Sequence, residues 1–329
     1  MDAVDALIEI AALLERERAS RYRAKAFRQA AAVLAALPEQ TRWDADALRA
    51  QRGIGASTFE VIQQAQRGGV PDYLIQLRAS VSPERESELR GRLRGDLHSH
   101  TEWSDGTTPI ESMVSAAAAL GHRYLAITDH SPRLRVARGL SAERLREQIP
   151  LVREQSTPDL TVLAGIEVDI LDDGSLDQNP SLLAELDIVV ASAHSKLRMP
   201  ADAMTRRLVA AVGDSVVNVL GHCTGRLVQG ERGTRPPSSF DARAVFAACA
   251  ENGVAVEINS RPERQDPPDE LIGVAMAEGC LFAIDSDAHA PGQLSLLDHG
   301  AQRAEAAGVP AERIVTTWGV ERLRAWARG

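Results

Sequence analysis

Six of the eight histidines stand where short apolar segments end, and carboxylates stand among them. The segments end in DLHSH, TDH, GIE, SAH, GH and SDAH, in that order along the chain. One HxH motif or one histidine after an apolar run is more often structural than functional, but a set repeated at successive strand ends indicates convergence. Imidazole and carboxylate donors suit Zn²⁺, Mn²⁺ or Fe. We therefore expect a metal centre that includes His98, His100, His130, His194, His222 and His289.

Seven apolar segments alternate with helical ones after residue 94, a pattern that predicts a parallel sheet. Seven or eight such units favour a barrel, whose functional face lies at the carboxyl ends of the strands. Residues i and i+2 of a strand share a face, so His98 and His100 are expected to converge on one side of the first strand. The predicted strands are 94–98, 124–128, 161–167, 188–193, 216–220, 255–258 and 281–284.

The motifs DLHSHT-x5-DG, TDH, GIE, SAH, GH-x-TGR and SDAH together resemble the PHP (polymerase and histidinol phosphatase) family over residues 94–320. The resemblance implies a distorted (β/α)7 TIM-like barrel with three divalent ions that hydrolyses phosphoesters. It places the first ion on His98, His100, Glu167 and Asp287. It places a second on Glu167, His194 and His222, and a third on Asp105, His130 and His289.

Phosphate hydrolysis at such a centre also needs positive groups that contact the substrate. Basic residues near the predicted strand ends are the candidates, with a solvated loop charge as the alternative for each. Asp129 is a candidate for orienting a ligand imidazole or for capping the loop that follows it. The candidate catalytic residues are Arg226, Arg261, Lys196 and Asp129, with Arg198 and Arg264 as further cations.

The first 80 residues read as helical, and Gly53-Ile54-Gly55 joins two short helices as in a helix-hairpin-helix. RYRAKAFRQAAAVLAALPE and LRAQRGIGASTFEVIQQAQRGG resemble the N-terminal DNA-binding domain of family X DNA polymerases. The resemblance implies phosphate contacts by the hairpin amides and by Arg21, Arg23, Lys25 and Arg28. A helical docking domain with solvated arginines is the alternative. About fifteen residues separate the two regions of resemblance, so no polymerase core fits between them.

Composition bounds the remaining possibilities. The 329 residues are 44% hydrophobic and 25% charged, which excludes a mainly disordered chain or a collagen-like fibre. Residues 1–90 carry equal numbers of basic and acidic side chains, so the net charge of −9 comes from the residues after position 90. We expect a helical domain over 1–80, a linker over 81–93 and the metallohydrolase barrel over 94–329. The acidic start, the odd cysteine count and the lack of a membrane-spanning apolar run predict a cytoplasmic protein.

These observations favour a metal-dependent phosphoesterase acting at DNA 3′ ends, as a 3′-5′ exonuclease or end-processing repair enzyme, with DNA as its partner. A small-molecule phosphatase of the histidinol-phosphatase type is the first alternative, and the acidic barrel favours it mildly. A non-catalytic DNA-binding scaffold is the second alternative. Residue patterns leave the oligomeric state and the choice among Zn, Mn and Fe open.

Overall fold

The computed structural model describes residues 1–17, 21–80, 87–229 and 233–329. The chain divides into two compact units, residues 1–84 with 290–293 and residues 85–289 with 294–329. Of the predicted linker, residues 81–86 lie outside the described residues. None of the described helices is long and apolar enough to cross a bilayer.

The first unit is all-α, as predicted. Asp2 caps its first helix by accepting the amide of Val4 at 2.8 Å. Leu7, Ile10 and Leu14 recur at helical spacing and are buried in the core of this unit. The helices are α1 (Ala3–Arg16), α2 (Arg21–Ala36), α3 (Glu39–Trp43), α4 (Ala45–Arg49), α5 (Ala56–Gln66) and α6 (Asp72–Ser80).

The predicted helix-hairpin-helix turn joins α4 to α5. Gly53 has a φ of +102°, a backbone conformation that glycine adopts without a steric penalty. Ile54 is buried in the core of the unit and anchors the turn, and α5 begins directly after Gly55. The Gly-apolar-Gly sequence therefore fixes where the second helix of the hairpin starts.

The second unit is a seven-stranded parallel sheet whose strands pair in sequence order, which confirms the predicted barrel class. The strands are β1 (Gly95–Asp96), β2 (Tyr124–Ile127), β3 (Thr161–Asp169), β4 (Ile188–Ser192), β5 (Val219–Leu220), β6 (Ala255–Asn259) and β7 (Leu281–Asp285). The helices are α7 (Glu88–Arg92), α8 (Ile110–Ala119), α9 (Ala142–Glu154), α10 (Pro180–Leu183), α11 (Ala201–Val212), α12 (Ala242–Glu251), α13 (Asp269–Ala277), α14 (Leu297–Ala306) and α15 (Val320–Ala327).

Alternation along the strands separates two layers of apolar side chains. Leu125 and Ile127 belong to the larger cluster, which packs the strands against the surrounding helices. Tyr124 and Ala126 belong to a smaller cluster that fills the barrel interior and includes Leu323 of α15. The interior is thus a packed core, and the strand ends above it are left for polar side chains.

The barrel closes between β1 and β7 through a single β-bridge, Ser99 with Ala288. Carboxylates replace the missing ladder, because Asp285 accepts the amide of Leu97 at 2.9 Å and Asp96 accepts that of Ser286 at 3.2 Å. This corrects the predicted first strand, which ends at Asp96 rather than at His98. The HxH motif therefore follows the strand instead of lying on it.

Arg207 of α11 is 1% exposed and holds the chain that follows β3 and β4. Its guanidinium donates to the carbonyls of Leu171 and Ser195 at 2.9 Å each, and also to that of Ile170. The carbonyl of Leu171 also accepts the amide of Gly174 at 2.9 Å, so the arginine matters most for the carbonyls of Ile170 and Ser195, backbone groups that burial would otherwise leave unpaired.

We predict that Arg207→Met lowers the free energy of unfolding by about 2–4 kcal/mol, because it removes the hydrogen bonds to these backbone carbonyl groups. The matched control is Arg206→Met on the same helix, since the Arg206 side chain is 72% exposed. The control should change stability by less than about 0.5 kcal/mol. Denaturant unfolding of both variants measures the difference, and equal effects would contradict the assigned role.

Candidate metal centre

The structure brings all nine predicted ligands together at the carboxyl ends of the strands. Most are buried, while Asp105 is 36% exposed and the side chain of His289 is 20% exposed. Six strands contribute: β1 precedes His98, His100 and Asp105, β2 precedes His130, β3 contains Glu167, β4 precedes His194, β5 precedes His222, and β7 precedes Asp287 and His289.

Glu167 lies at the centre of this cluster. Its Oε1 is 2.8 Å from Nε2 of His222 and 3.2 Å from Nε2 of His194. Its Oε2 is 2.8 Å from Nδ1 of His130 and 3.3 Å from Nε2 of His98. One carboxylate thus faces imidazoles on both of its oxygens, the arrangement that a bridging ligand requires.

The donor atoms form four overlapping groups, each compact enough to hold one ion. Two agree with the predicted partition: one unites His98, His100 and Asp287, and another unites Asp105, His130 and His289 and adds His100. The predicted second group is divided, because Glu167 meets His222 beside His98 and meets His194 beside His130. The donors therefore converge as a single cluster with shared members.

Several donor atoms are buried without a hydrogen bond among the described residues. They include Nε2 of His98, both ring nitrogens of His100 and Oε2 of Glu167. Unpaired buried polar groups are costly, so such a set calls for a partner that is not a protein group. Imidazole nitrogens directed toward shared carboxylates fit divalent transition-metal ions.

The charges of the metal-free cluster are strongly coupled. Burial disfavours the charged form of Glu167, but His98, His130 and His194 outweigh it and hold the pKa of Glu167 well below its usual value. Burial also opposes the charged form of His194, yet Glu167 and Asp169 raise the pKa of His194 to about 9. Burial, together with His289 and His130, lowers the pKa of His100 to about 3.

Asp287 is held in a strained backbone conformation, with a φ of +52°. Its Oδ2 accepts from Nε of Arg264 at 2.9 Å and from Asn259 at 3.2 Å. Its carbonyl accepts from Arg261 at 3.0 Å, and the same guanidinium nitrogen lies 3.0 Å from Nδ1 of His289. Arg261 therefore contacts two members of the cluster, Asp287 and His289, while its predicted contact with a substrate phosphate stays a prediction.

The other predicted catalytic residues have different partners from those expected. Asp129 accepts from Thr101 and Ser104 of the loop after β1 and from Gln148 of α9. This corrects the expectation that Asp129 orients an imidazole or caps the loop that follows it. Its carboxylate instead orders the loop that carries Asp105, because five donor groups from these three residues converge on it.

Two predicted phosphate-binding cations, Arg226 and Lys196, have protein partners outside the ligand cluster. Arg226 donates to the carbonyls of Arg264 and Gln265, so it shapes the loop after β6. Lys196 is 64% exposed and lies 2.5 Å from Asp172, outside the ligand cluster. Arg198 is exposed. Local partners thus occupy the side chains of Arg226 and Lys196 in ways that sequence position alone does not reveal.

Two acidic residues that the sequence analysis did not single out contact ligand imidazoles. Oε1 of Glu257, in β6, lies 2.6 Å from Nδ1 of His98. Oδ1 of Asp169, at the end of β3, lies 3.1 Å from Nδ1 of His194. An acid inside an otherwise apolar strand was the available signal, because a buried charge needs a specific partner.

The predicted DNA contacts of the helical unit are partly corrected. The amides of Ile54 and Gly55 already donate to Gln51 and Thr58, at 3.1 and 2.9 Å. The amides without an intrahelical partner are therefore those of the first turn of α5, which follows Gly55.

Among the four predicted basic residues of α2, two remain exposed. Arg23 donates to the hydroxyl of Tyr73, and Lys25 is exposed to solvent. Arg28 pairs with Glu15 at 2.8 Å, which corrects its expected role as a phosphate contact. The side chain of Arg21 lies outside the described residues.

Metal binding at this cluster should depend on pH. With its pKa raised to about 9, His194 is protonated at neutral pH in the metal-free protein, so an ion binding there must displace a proton. Against burial, nearby carboxylates raise the pKa values of His98 and His289 as well, so affinity for Mn²⁺ should rise with pH through the alkaline range. Asp169→Asn removes one of the acids that raise the pKa of His194, so its rise in affinity should lie at lower pH.

Competition with a chelator between about pH 6.5 and 10 measures this dependence. Asp187→Asn, which removes a carboxylate that pairs with Arg153 and accepts the amide of Ala164, is the matched control. Identical pH profiles for Asp169→Asn and the control would contradict the role of Asp169.

Comparisons with known proteins identify a family model and several relatives. Residues 96–261 match the PHP domain model, and residues 1–70 match a helix-hairpin-helix domain model. The DNA polymerase/3'-5' exonuclease PolX of Bacillus subtilis is 38% identical over 201 residues, which are 60% of this chain and 35% of that protein. The chain therefore spans about a third of the length of that relative.

A probable phosphatase of Edwardsiella ictaluri is 27% identical over 230 residues, 67% of this chain and 88% of that protein. The crystal structure of histidinol phosphate phosphatase from Lactococcus lactis, in complex with zinc, L-histidinol and phosphate, has a TM-score of 0.45 and 19% identity. The alignment of the two structures covers 65% of this chain and 94% of the chain of that phosphatase. The match over residues 96–261 shows that the chain belongs to the PHP domain family of metal-dependent phosphoesterases.

Proposed function

We propose that this protein hydrolyses phosphodiesters or phosphate groups at DNA 3′ ends. The observation that carries the proposal is a nine-donor cluster around Glu167 in the same chain as a helix-hairpin-helix unit. A centre that cleaves phosphoesters and a unit suited to phosphate backbones together favour a nucleic-acid end over a free metabolite. The PolX relative, whose name includes a 3'-5' exonuclease, supports this polarity.

Three divalent ions, of Zn, Mn or Fe, are proposed as the cofactors. His98, His100, Glu167 and Asp287 would hold the first, Glu167, His194 and His222 the second, and Asp105, His130 and His289 the third. Such ions supply a water of lowered pKa and positive charge that stabilises a phosphoryl group under attack. The nine side chains, the proposed metal ligands, keep this charge away from bulk solvent, since most of them are buried.

Arg264 and Arg261 are the cations best placed to meet a substrate phosphate. Both guanidinia contact Asp287 and are only 17% and 18% exposed. Each has donors beyond those used for Asp287, because a guanidinium has five N–H groups. Positive charge held at the edge of the cluster would align the phosphate oxygens for attack.

The helical unit is proposed to hold the duplex or gap next to the end that is cut. The first turn of α5, Arg23 and Lys25 would contact backbone phosphates, with no reading of base sequence. DNA repair in the cytoplasm is the setting that we propose for such an enzyme.

A small-molecule phosphatase is the second candidate. The relative from Edwardsiella ictaluri is named a probable phosphatase, and this chain covers 88% of its length. In that case the barrel alone would be sufficient for the reaction, and the helical unit would serve another purpose.

A 5′-labelled oligonucleotide, single-stranded and in a gapped duplex, distinguishes the two candidates. With Mn²⁺ we expect a ladder that shortens from the 3′ end. His98→Ala and Glu167→Ala should abolish it, because each removes donors from the cluster centre, while circular dichroism should show a retained fold. Arg123→Ala, at the opposite end of β2 from His130, is the control that should leave cleavage unchanged.

Intact oligonucleotide beside rapid hydrolysis of a phosphate monoester would replace the first candidate with the second. Full activity in either cluster variant would remove the assignment of the site.

The helical unit is tested separately. Lys25→Ala should weaken binding to a gapped duplex and reduce the dependence of log affinity on log salt by about 0.9, the slope for one phosphate contact. Arg67→Ala is the matched control, because this exposed cation lies beyond the opposite end of α5. Fluorescence anisotropy across a salt series measures both, and equal slopes would contradict DNA contact by α2.

A further inference from the structure

Glu257 is a fully buried acid at the centre of β6, and its carboxylate contacts two of the proposed metal ligands, His98 and His222. Its side chain is 0% exposed, and Oε1 lies 2.6 Å from Nδ1 of His98. Oε2 accepts the backbone amide of His222 at 2.6 Å and the side-chain amide of Asn259 at 3.1 Å. Both oxygens therefore have defined partners, on β6 itself and on the chain after β1 and β5.

The contacts of His98 determine which of its nitrogens is free. An ionised carboxylate only accepts hydrogen bonds, so Nδ1 facing Glu257 must carry the proton. Against burial, Glu167 and Glu257 raise the pKa of His98, so an ion that binds this imidazole displaces a proton, and with Nδ1 on Glu257 the nitrogen that loses it is Nε2. It is buried, makes no hydrogen bond among the described residues and lies 3.3 Å from Oε2 of Glu167.

We propose that Glu257 is a positioning residue that fixes the tautomer and orientation of His98, so that Nε2 is presented to the first metal ion. The inference rests on the ligand set proposed above and adds a residue that is not itself a ligand. A carboxylate behind a ligand imidazole also makes the imidazole a stronger donor. Through its other oxygen the same side chain holds the backbone of His222, so it links two ligands from neighbouring regions of the cluster.

Glu257→Gln tests this role with little change of volume. The amides of His222 and Asn259 are donors, so the glutamine oxygen should stay with them. The glutamine NH₂ group then faces Nδ1 of His98, which must accept a hydrogen bond and move its proton to Nε2. The substitution therefore blocks the metal-binding nitrogen while the packing of β6 is retained.

We expect E257Q to bind the His98-dependent ion about 10–100-fold more weakly than the wild type. Equilibrium dialysis against Mn²⁺, with metal counted by atomic absorption, should show one ion fewer at limiting metal. The remaining ions should bind as before, since their donors are untouched. Asp187→Asn is the matched control, a carboxylate paired with Arg153 rather than with an imidazole, and it should bind metal like the wild type.

A double-mutant cycle with His98→Ala separates positioning from a merely structural role. If Glu257 acts through His98, adding E257Q to His98→Ala should cause no further loss of metal. Wild-type metal binding by E257Q, an additive loss in the double variant, or loss of the fold by circular dichroism would each overturn the proposal. Because the readout is metal content, failure of DNA cleavage in the wild type would overturn the proposed function and leave this inference intact.

Discussion

The buried carboxylate of Glu167 is the constraint on which the rest of the barrel depends. A charge at 1% exposure is unfavourable unless opposite charges or ions surround it, and imidazoles from the ends of β1, β2, β4 and β5 do so. Those histidines share the same problem, because several of their nitrogens are buried without a hydrogen bond. The cluster is thus a set of groups that divalent ions would satisfy together.

The surrounding structure supports this cluster through polar contacts rather than through apolar packing alone. Asp129 orders the loop that carries Asp105, and Arg207 satisfies the carbonyls that follow β3 and β4. Asp285 and Asp96 close the seam between the first and last strands. Asp96 also accepts the amide of the proposed ligand His98 at 3.1 Å, and burial raises the pKa of Asp96 to about 6 although its hydrogen bonds oppose that rise.

The two units of the chain address different parts of one substrate in the proposed function. The barrel concentrates negative charge around buried donors and depends on bound cations to accept a phosphate. The helical unit instead offers exposed basic side chains and the first turn of a helix, which suit contacts to a phosphate backbone at many positions. An acidic barrel would therefore be compatible with the proposed nucleic-acid substrate, since affinity and chemistry would be supplied by separate surfaces.

The sequence by itself determined the class of fold and the identity of the converging donors. Apolar segments at regular spacing specify a parallel barrel, and parallel strands place their carboxyl ends on one face, so histidines after them must meet. Only the tertiary structure decided which donor atoms lie close together, why Arg28 and Arg226 are occupied by local partners, and where the first strand ends. It also revealed the partner of Glu257, because an acid inside an apolar strand signals a buried contact, but the local sequence does not show that this contact is His98, 159 positions away.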